Sequence, residues 1–146
     1  MFDNARTAIT FGTFDLFHIG HINILRRARE FGKRLVVGVS TDALNYSKKG
    51  FYPAYNQDDR KEILSAIRYV DDVFFEESLE KKGDYIRQFG ADVLIMGCDW
   101  EGKFDEYKSL CEVVYLPRTE GISTTSLRQV IQSIESQRAE TDDIAL

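Results

Sequence analysis

The sequence contains two histidines, His18 and His21, and they stand three residues apart in the run Thr10-Phe-Gly-Thr-Phe-Asp-Leu-Phe-His-Ile-Gly-His21. Imidazoles at that spacing share a face if a helix opens around them. The preceding Ala8-Ile9-Thr10-Phe11 reads as the end of a buried strand, and Gly12 supplies a bend. Strand, glycine turn and helix start together make an anion site, because unpaired N–H groups at a helix amino end face the ligand. Gly20, between the histidines, lets a phosphate approach the backbone. A metal site is the rival reading, but a helical ligand pair normally has a third ligand, and Asp15 is the only carboxylate nearby. The arrangement favours phosphate chemistry, with the imidazoles as hydrogen-bond donors and no metal ligands assigned.

The elements around this stretch alternate. Ile22, Leu25, Ala28 and Phe31 recur near helical spacing, and Leu35 to Ser40 is a continuous apolar run of the kind buried on both faces of a parallel sheet. Residues 45–55 lack periodicity and read as a long loop, after which Asn56 caps a helix buried along Ile63, Leu64 and Ile67. Val70–Phe75, Asp92–Met96 and Val113–Leu116 read as three further strands, and Leu79–Phe89 as a helix stopped at Gly90. Ser123 or Thr124 caps a last helix with Leu127, Val130, Ile131 and Ile134 on one side. This pattern predicts an α/β fold: a single Rossmann-like, doubly wound parallel sheet of about five strands with helices on both faces. Residues 1–135 form one domain, and 136–146 a polar, loosely packed tail. Ligands of such sheets lie beyond the carboxyl ends of the strands, where three of these segments end.

Composition bounds the function. At 146 residues, 43% hydrophobic and 29% charged, the chain can build one core, and a net charge of −5 argues against coating nucleic acid. Cys98 and Cys111 are isolated, which fits a reduced, cytoplasmic setting. No apolar run approaches the ~20 residues needed to cross a bilayer, and no secretory leader pattern is evident.

Gly12-Thr-Phe-Asp-x-x-His-x-Gly-His21, Met96-Gly-Cys-Asp-Trp-Glu-Gly-Lys-Phe-Asp105 and Arg118-Thr-Glu-Gly-Ile-Ser-Thr-Thr125 occur in that order. From about Ala8 to Ile131 the chain resembles the cytidylyltransferases of the nucleotidyltransferase superfamily that carries HxGH. Within that family it is similar to the branch that joins CTP and sn-glycerol 3-phosphate into CDP-glycerol and pyrophosphate for teichoic acid or capsule synthesis. The resemblance implies in-line attack on the α-phosphate, with His18, His21, Lys49 and Arg118 as catalytic residues. It implies nucleotide binding by Thr13, Phe14, His18, Gly20, His21, Lys48, Asp99, Arg118, Thr119, Gly121, Ile122, Ser123, Thr124 and Thr125. Acceptor binding would fall to Lys48, Arg60, Arg68 and Lys82, with Asp71 orienting Arg68. Which of Lys48 and Lys49 meets CTP stays open, because the loop before Arg60 differs in length from the family pattern. Cys98 stands where an aspartate is usual, leaving any role of that position open, and Trp100 would pack on the nucleotide or at the loop root. The resemblance further implies Mg2+ arriving with CTP, and a homodimer. Two alternatives remain: a cytidylyltransferase for another polyol phosphate or a phosphoamine, and an inactive nucleotide-binding module.

Overall fold

A computed structural model describes the backbone of residues 6–145 and the side chains of residues 6–139. Five strands, β1 (Thr7–Gly12), β2 (Arg34–Ser40), β3 (Asp72–Glu76), β4 (Val93–Gly97) and β5 (Glu112–Leu116), form one sheet in the order β3-β2-β1-β4-β5. Every pairing is parallel, with Thr10 of β1 opposite Val37 of β2 on one side and Ile95 of β4 on the other. The doubly wound sheet read from the sequence is present, with β1 at its centre.

The helices are α1 (Ile19–Arg29), α2 (Asp42–Lys49), α3 (Gln57–Ser65), α4 (Lys82–Gln88) and α5 (Thr124–Ala145). Alternate strand residues face opposite layers, as the pleat requires. Ala8, Leu35, Val37, Val39, Val93 and Ile95 pack with Leu25 and Ala28 of α1 and Leu64 of α3. Ile9, Phe11, Val36, Leu94 and Met96 pack with Ile86 of α4 on the other face. Each fully buried aliphatic side chain contributes roughly 1.5–3 kcal/mol, so two such layers hold the strand ends rigidly in place.

Two expectations change. Residues 45–55 are not one loop: α2 occupies the first half, opened by Thr41, whose side chain accepts from the Leu44 N–H at 3.1 Å, and closed by Gly50 at φ 79°. Periodicity missed it because only Leu44 and Asn45 of its eight residues are buried. The carboxyl-terminal segment is also helical, since α5 runs through residue 135 to Ala145 without a break. Its expected apolar stripe is largely exposed, with Val130 54% and Ile134 48% accessible. Residue 146 lies outside the described residues. Among the described residues no helix is long and apolar enough to cross a membrane.

Candidate active site

The two histidines form the opening of α1 itself. His18 is its cap residue, in extended conformation, and its Nδ1 accepts from the Gly20 N–H at 3.0 Å. His21 reaches back, and its Nδ1 accepts from the His18 N–H at 3.2 Å. This reciprocal cap satisfies two N–H groups that a helix start leaves unpaired. With both Nδ1 atoms accepting, each neutral ring carries its proton on Nε2. The rings stack with centroids 3.8 Å apart, and Phe14 and Phe17 pack on His21 at 5.3 and 5.2 Å. Burial, then the neighbouring His18, pushes His21 down to about 3 against the opposing pull of Asp15. His18 is also lowered, by burial and by the Arg118 charge. The site therefore presents a pair of neutral N–H donors at neutral pH.

Gly20 is explained by this cap. A Cβ there would lie 2.7 Å from Cε1 and 2.9 Å from Nδ1 of His18. Only glycine lets the His18 ring fold over its own helix start. The preceding turn places Phe14 and Leu16 at φ 54° and 46°, a left-handed conformation that costs of order 1 kcal/mol for each such residue.

Asp15 fastens that turn. Its buried carboxylate accepts from the Ala54 N–H at 2.7 Å and the Tyr55 N–H at 2.9 Å, and pairs with Arg128 of α5. Its carbonyl accepts from Thr124 Oγ1 at 2.9 Å. Thr13 donates through Oγ1 to Asn45 Oδ1 at 3.0 Å, and Asn45 Nδ2 donates to the Phe51 carbonyl at 3.2 Å. One carboxylate and one amide thus join the β1 turn to the 50–55 segment and to α5.

The other motifs converge on the same rim. Asp99, on the turn after β4, lies 3.3 Å from Arg118, which follows β5. Asn23 of α1 donates to Thr119 Oγ1 at 2.9 Å. Ser123 caps α5, accepting through Oγ from the Ser126 N–H at 3.0 Å. Residues 118–123 and Ser126 line an open pocket of about 450 Å³, and Ile122 lies beside Gly20. Thr125 is exposed in the first turn of α5, next to Thr124. Gly121, at φ 80°, turns the chain between Arg118 and Ser123. Cys98 and Trp100 are exposed on the β4 turn, where Trp100 stands over Phe104 with ring centroids 5.6 Å apart.

The four acceptor candidates separate. Lys48, exposed at the end of α2, donates through Nζ to Ser40 Oγ at 3.3 Å, at the carboxyl end of β2, while Lys49 beside it is exposed. Lys82 reaches the same place from α4 but is buried, with Nζ 2.7 Å from Glu76 and 3.7 Å above the Phe11 ring. Arg60 does not face the crevice. It is 1% exposed and donates to the carbonyls of Tyr55, Thr13 and Ser40 and to Asp42. It is a bolt beneath the site, and nothing of its guanidinium is turned to a ligand. Arg68 is exposed just before β3 begins, at the opposite edge of the sheet from the rim. Its expected partner Asp71 pairs with Arg29 at 3.0 Å and accepts from the Leu35 N–H at 2.8 Å. Sequence reading also passed over Glu76, Asn23, Asn45 and Arg128. Only their positions at strand ends and on helix starts, visible once α2 is recognised, single them out.

Comparison with known proteins gives the family and the fold. The chain is 52% identical over 130 residues to the glycerol-3-phosphate cytidylyltransferase of Bacillus subtilis (strain 168), covering 88% of this chain and 99% of that protein. It is 52% identical over 125 residues to the enzyme of the same name from Staphylococcus aureus (strain NCTC 8325 / PS 47), covering 85% and 93%. The fold matches a crystal structure described as the lipopolysaccharide core biosynthesis protein of Thermoplasma volcanium GSS1, with a TM-score of 0.68 at 22% identity over 79% of this chain and 98% of that one. The cytidylyltransferase-like family model matches residues 9–130, and the chain belongs to that family.

Proposed function

We propose that this chain joins CTP to sn-glycerol 3-phosphate, releasing pyrophosphate and CDP-glycerol. A phosphate oxygen of the acceptor attacks the α-phosphorus, and the bond from that phosphorus to the oxygen bridging the β-phosphorus breaks in line. The acceptor is already an anionic nucleophile, so catalysis consists of positioning two anions and stabilising the charge that grows on the α-phosphate and the leaving group.

The observation that carries this reading is the reciprocal histidine cap. In the proposal, the Nε2–H groups of His18 and His21 donate to the α-phosphate oxygens, and the first amides of α1 lie behind them. Neutral imidazoles suit this role, because a donor that does not titrate near neutral pH works across the physiological range. Thr13, Phe14 and Gly20 shape the turn under the nucleotide. Arg118 and Thr119, with 121–125 and the start of α5, hold the triphosphate from the β5 side. Asp99 accepts from the exocyclic amine of cytosine. Lys49 reaches the phosphates from α2, and Lys48 meets the acceptor phosphate. Among the described residues no group of three or more His, Cys, Asp or Glu is placed to hold a metal ion. In the proposal Mg2+ arrives with CTP on the triphosphate, and no step is assigned to it. A cytoplasmic homodimer with its catalytic unit in residues 1–135 completes the proposal, and sedimentation velocity tests the dimer.

A pyrophosphate-release panel of CTP, ATP, GTP and UTP against glycerol 3-phosphate, other polyol phosphates and phosphoamines tests the reaction. CTP with glycerol 3-phosphate should be fastest by at least about tenfold, a difference of ~1.4 kcal/mol. Equal rates with ATP remove the role given to Asp99, and binding of CTP without turnover removes the reaction.

A further inference from the structure

Beside the histidines, at the carboxyl ends of β2 and β3, a buried ion pair, Glu76 and Lys82, has no part in the mechanism above. Glu76 is the last residue of β3, paired in register with Ser40, the last of β2, and it is 1% exposed. Its Oε2 lies 2.7 Å from Lys82 Nζ, and its Oε1 lies 3.5 Å from Ser40 Oγ. The same hydroxyl receives Lys48 Nζ at 3.3 Å. Lys82, Glu76, Ser40 and Lys48 therefore form one polar chain from beneath the sheet rim to its surface. Its inner end is closed by aromatic rings, with Phe11 at 3.7 Å and Phe104 at 5.2 Å from the Lys82 ammonium.

A buried ion pair is a poor way to gain stability, since apolar replacement is often neutral or better. The surrounding charges suggest another use. Lys82 and Arg60 both act on Lys48 here, Arg60 being paired with Asp42 at 2.7 Å and bonded to the Ser40 carbonyl. Lys49 adds a fourth positive charge from the exposed side of α2, and the Tyr107 phenol feels Glu76 from the far side. Among the described ion pairs Lys82 has Glu76 and Arg60 has Asp42, while Lys48 rests only on a hydroxyl. Four cations therefore stand against two carboxylates, and the two without a carboxylate among the described ion pairs, Lys48 and Lys49, are the ones at the surface.

We propose that Glu76 is a positioning residue for acceptor binding: its carboxylate holds Lys82 and, through Ser40, keeps the Lys48 ammonium charged and aimed at the crevice, ready for the phosphate dianion of the acceptor. The inference rests on the reading that Lys48 meets that phosphate, and names the group that makes Lys48 fit for it. Burial lowers both lysines, and Glu76 is the main group opposing that loss of charge. Without its negative charge, Lys48 and Lys82 hold their protons less tightly, and Lys82 loses its ion pair.

Glu76→Gln tests this, because the amide keeps the size and can still bond Ser40 while the charge is gone. The KM for glycerol 3-phosphate should rise about tenfold, equivalent to ~1.4 kcal/mol. The KM for CTP should stay within about twofold. An acceptor KM that is unchanged, or a parallel rise in the KM for CTP, overturns the proposal. If Glu76→Gln fails to fold, Ser40→Ala carries the test: it cuts the link to Lys48 but leaves the Glu76–Lys82 pair, and should raise the acceptor KM alone. Parallel rises for both substrates overturn the proposal there too. Lys48→Met examines the underlying reading separately. If it leaves the acceptor KM unmoved, the assignment of Lys48 fails; if it raises it and Glu76→Gln does not, only the role of Glu76 fails.

Discussion

If His21 is held neutral by its place in the helix cap, the protein must become less stable in mild acid by an amount set by that one ring. The unfolded chain binds a proton at His21 near 6.5, whereas the folded chain resists protonation to about 3. Between these values the unfolded state holds more protons, so stability falls as pH falls. The contribution is intact above the unfolded value and is lost progressively from about pH 6.5 down to about 3. At ~1.4 kcal/mol per unit, the loss between pH 7 and pH 5 amounts to about 2 kcal/mol. Solvent screening at the partly exposed ring trims this to about 1–2 kcal/mol. Urea unfolding at pH 7, 6 and 5 measures it, with His21→Gln as the comparison, since glutamine can accept the His18 N–H but does not titrate. The wild type should lose about 1–2 kcal/mol more than the variant across that range. The Cε1–H resonance of His21 should stay at its neutral position down to pH 5. Equal slopes for the two proteins, or a resonance that titrates near pH 6.5, refute the neutral-donor argument.

Gly20→Ala introduces a Cβ 2.7 Å from the His18 ring, so turnover should fall by about 10²–10³, the usual cost of losing one transition-state donor. Alanine is the better helix former, so the melting temperature should hardly change, and full activity with an intact fold contradicts the cap. Arg60→Met strands Asp42 and three carbonyls under the site and should cost about 3–5 kcal/mol of unfolding free energy in urea titration. A stability loss under ~1 kcal/mol would show that the guanidinium is not a bolt. Arg128→Gln releases the Asp15 pair and uncovers Phe51, over which the guanidinium sits at 5.3 Å. Limited proteolysis should then cut the 50–56 segment faster, and unchanged cleavage would show that Arg128 does not hold it.

The central strands β1, β2 and β4 were legible because their apolar runs are almost wholly buried, and the half-buried edge strands β3 and β5 through their β-branched and aromatic residues. Leu35 to Val39 could not be mistaken, and its register next to β1 follows from the same burial. The helix starts at His18, Asn56 and Ser123 were legible because capping residues announce themselves by side-chain chemistry. What failed was periodicity over short or exposed helices. α2 buries two residues in eight, so its Thr41 cap and Gly50 stop are its clearest signals, and the lack of periodicity over 45–55 reads as a loop instead. Arg60 and Lys82 failed differently. A cationic side chain in a phosphate-handling protein invites assignment to the ligand, yet burial by partners distant in sequence, such as Thr13 for Arg60 and Phe11 for Lys82, cannot be read from neighbours along the chain. Arg68 was assigned from its local motif, but the direction of the strand that follows places it at the wrong end of the sheet.

The strand order gives the proposed reaction its direction. In-line displacement needs the incoming oxygen and the departing pyrophosphate on opposite sides of the α-phosphorus. β1 sits at the centre of the order β3-β2-β1-β4-β5, and the histidine cap follows it. Lys48, Ser40 and Glu76 lie on the β2–β3 side, while Arg118 and the Ser123 cap lie on the β4–β5 side. In the proposed reading the acceptor arrives from one flank and the pyrophosphate leaves toward the other, across two donors fixed between them. Each flank can then be tuned without moving the centre. The β2–β3 flank carries lysines steadied by a buried carboxylate, suited to holding a small dianion. The β4–β5 flank carries an arginine and a helix start, suited to a larger polyanion. The chain runs outward from β1 through β2 to β3 and then crosses back past β1 to β4 and β5, so the loops after β2 and β3 fall on one flank, those after β4 and β5 on the other, and the histidine-bearing loop after β1 stands between them.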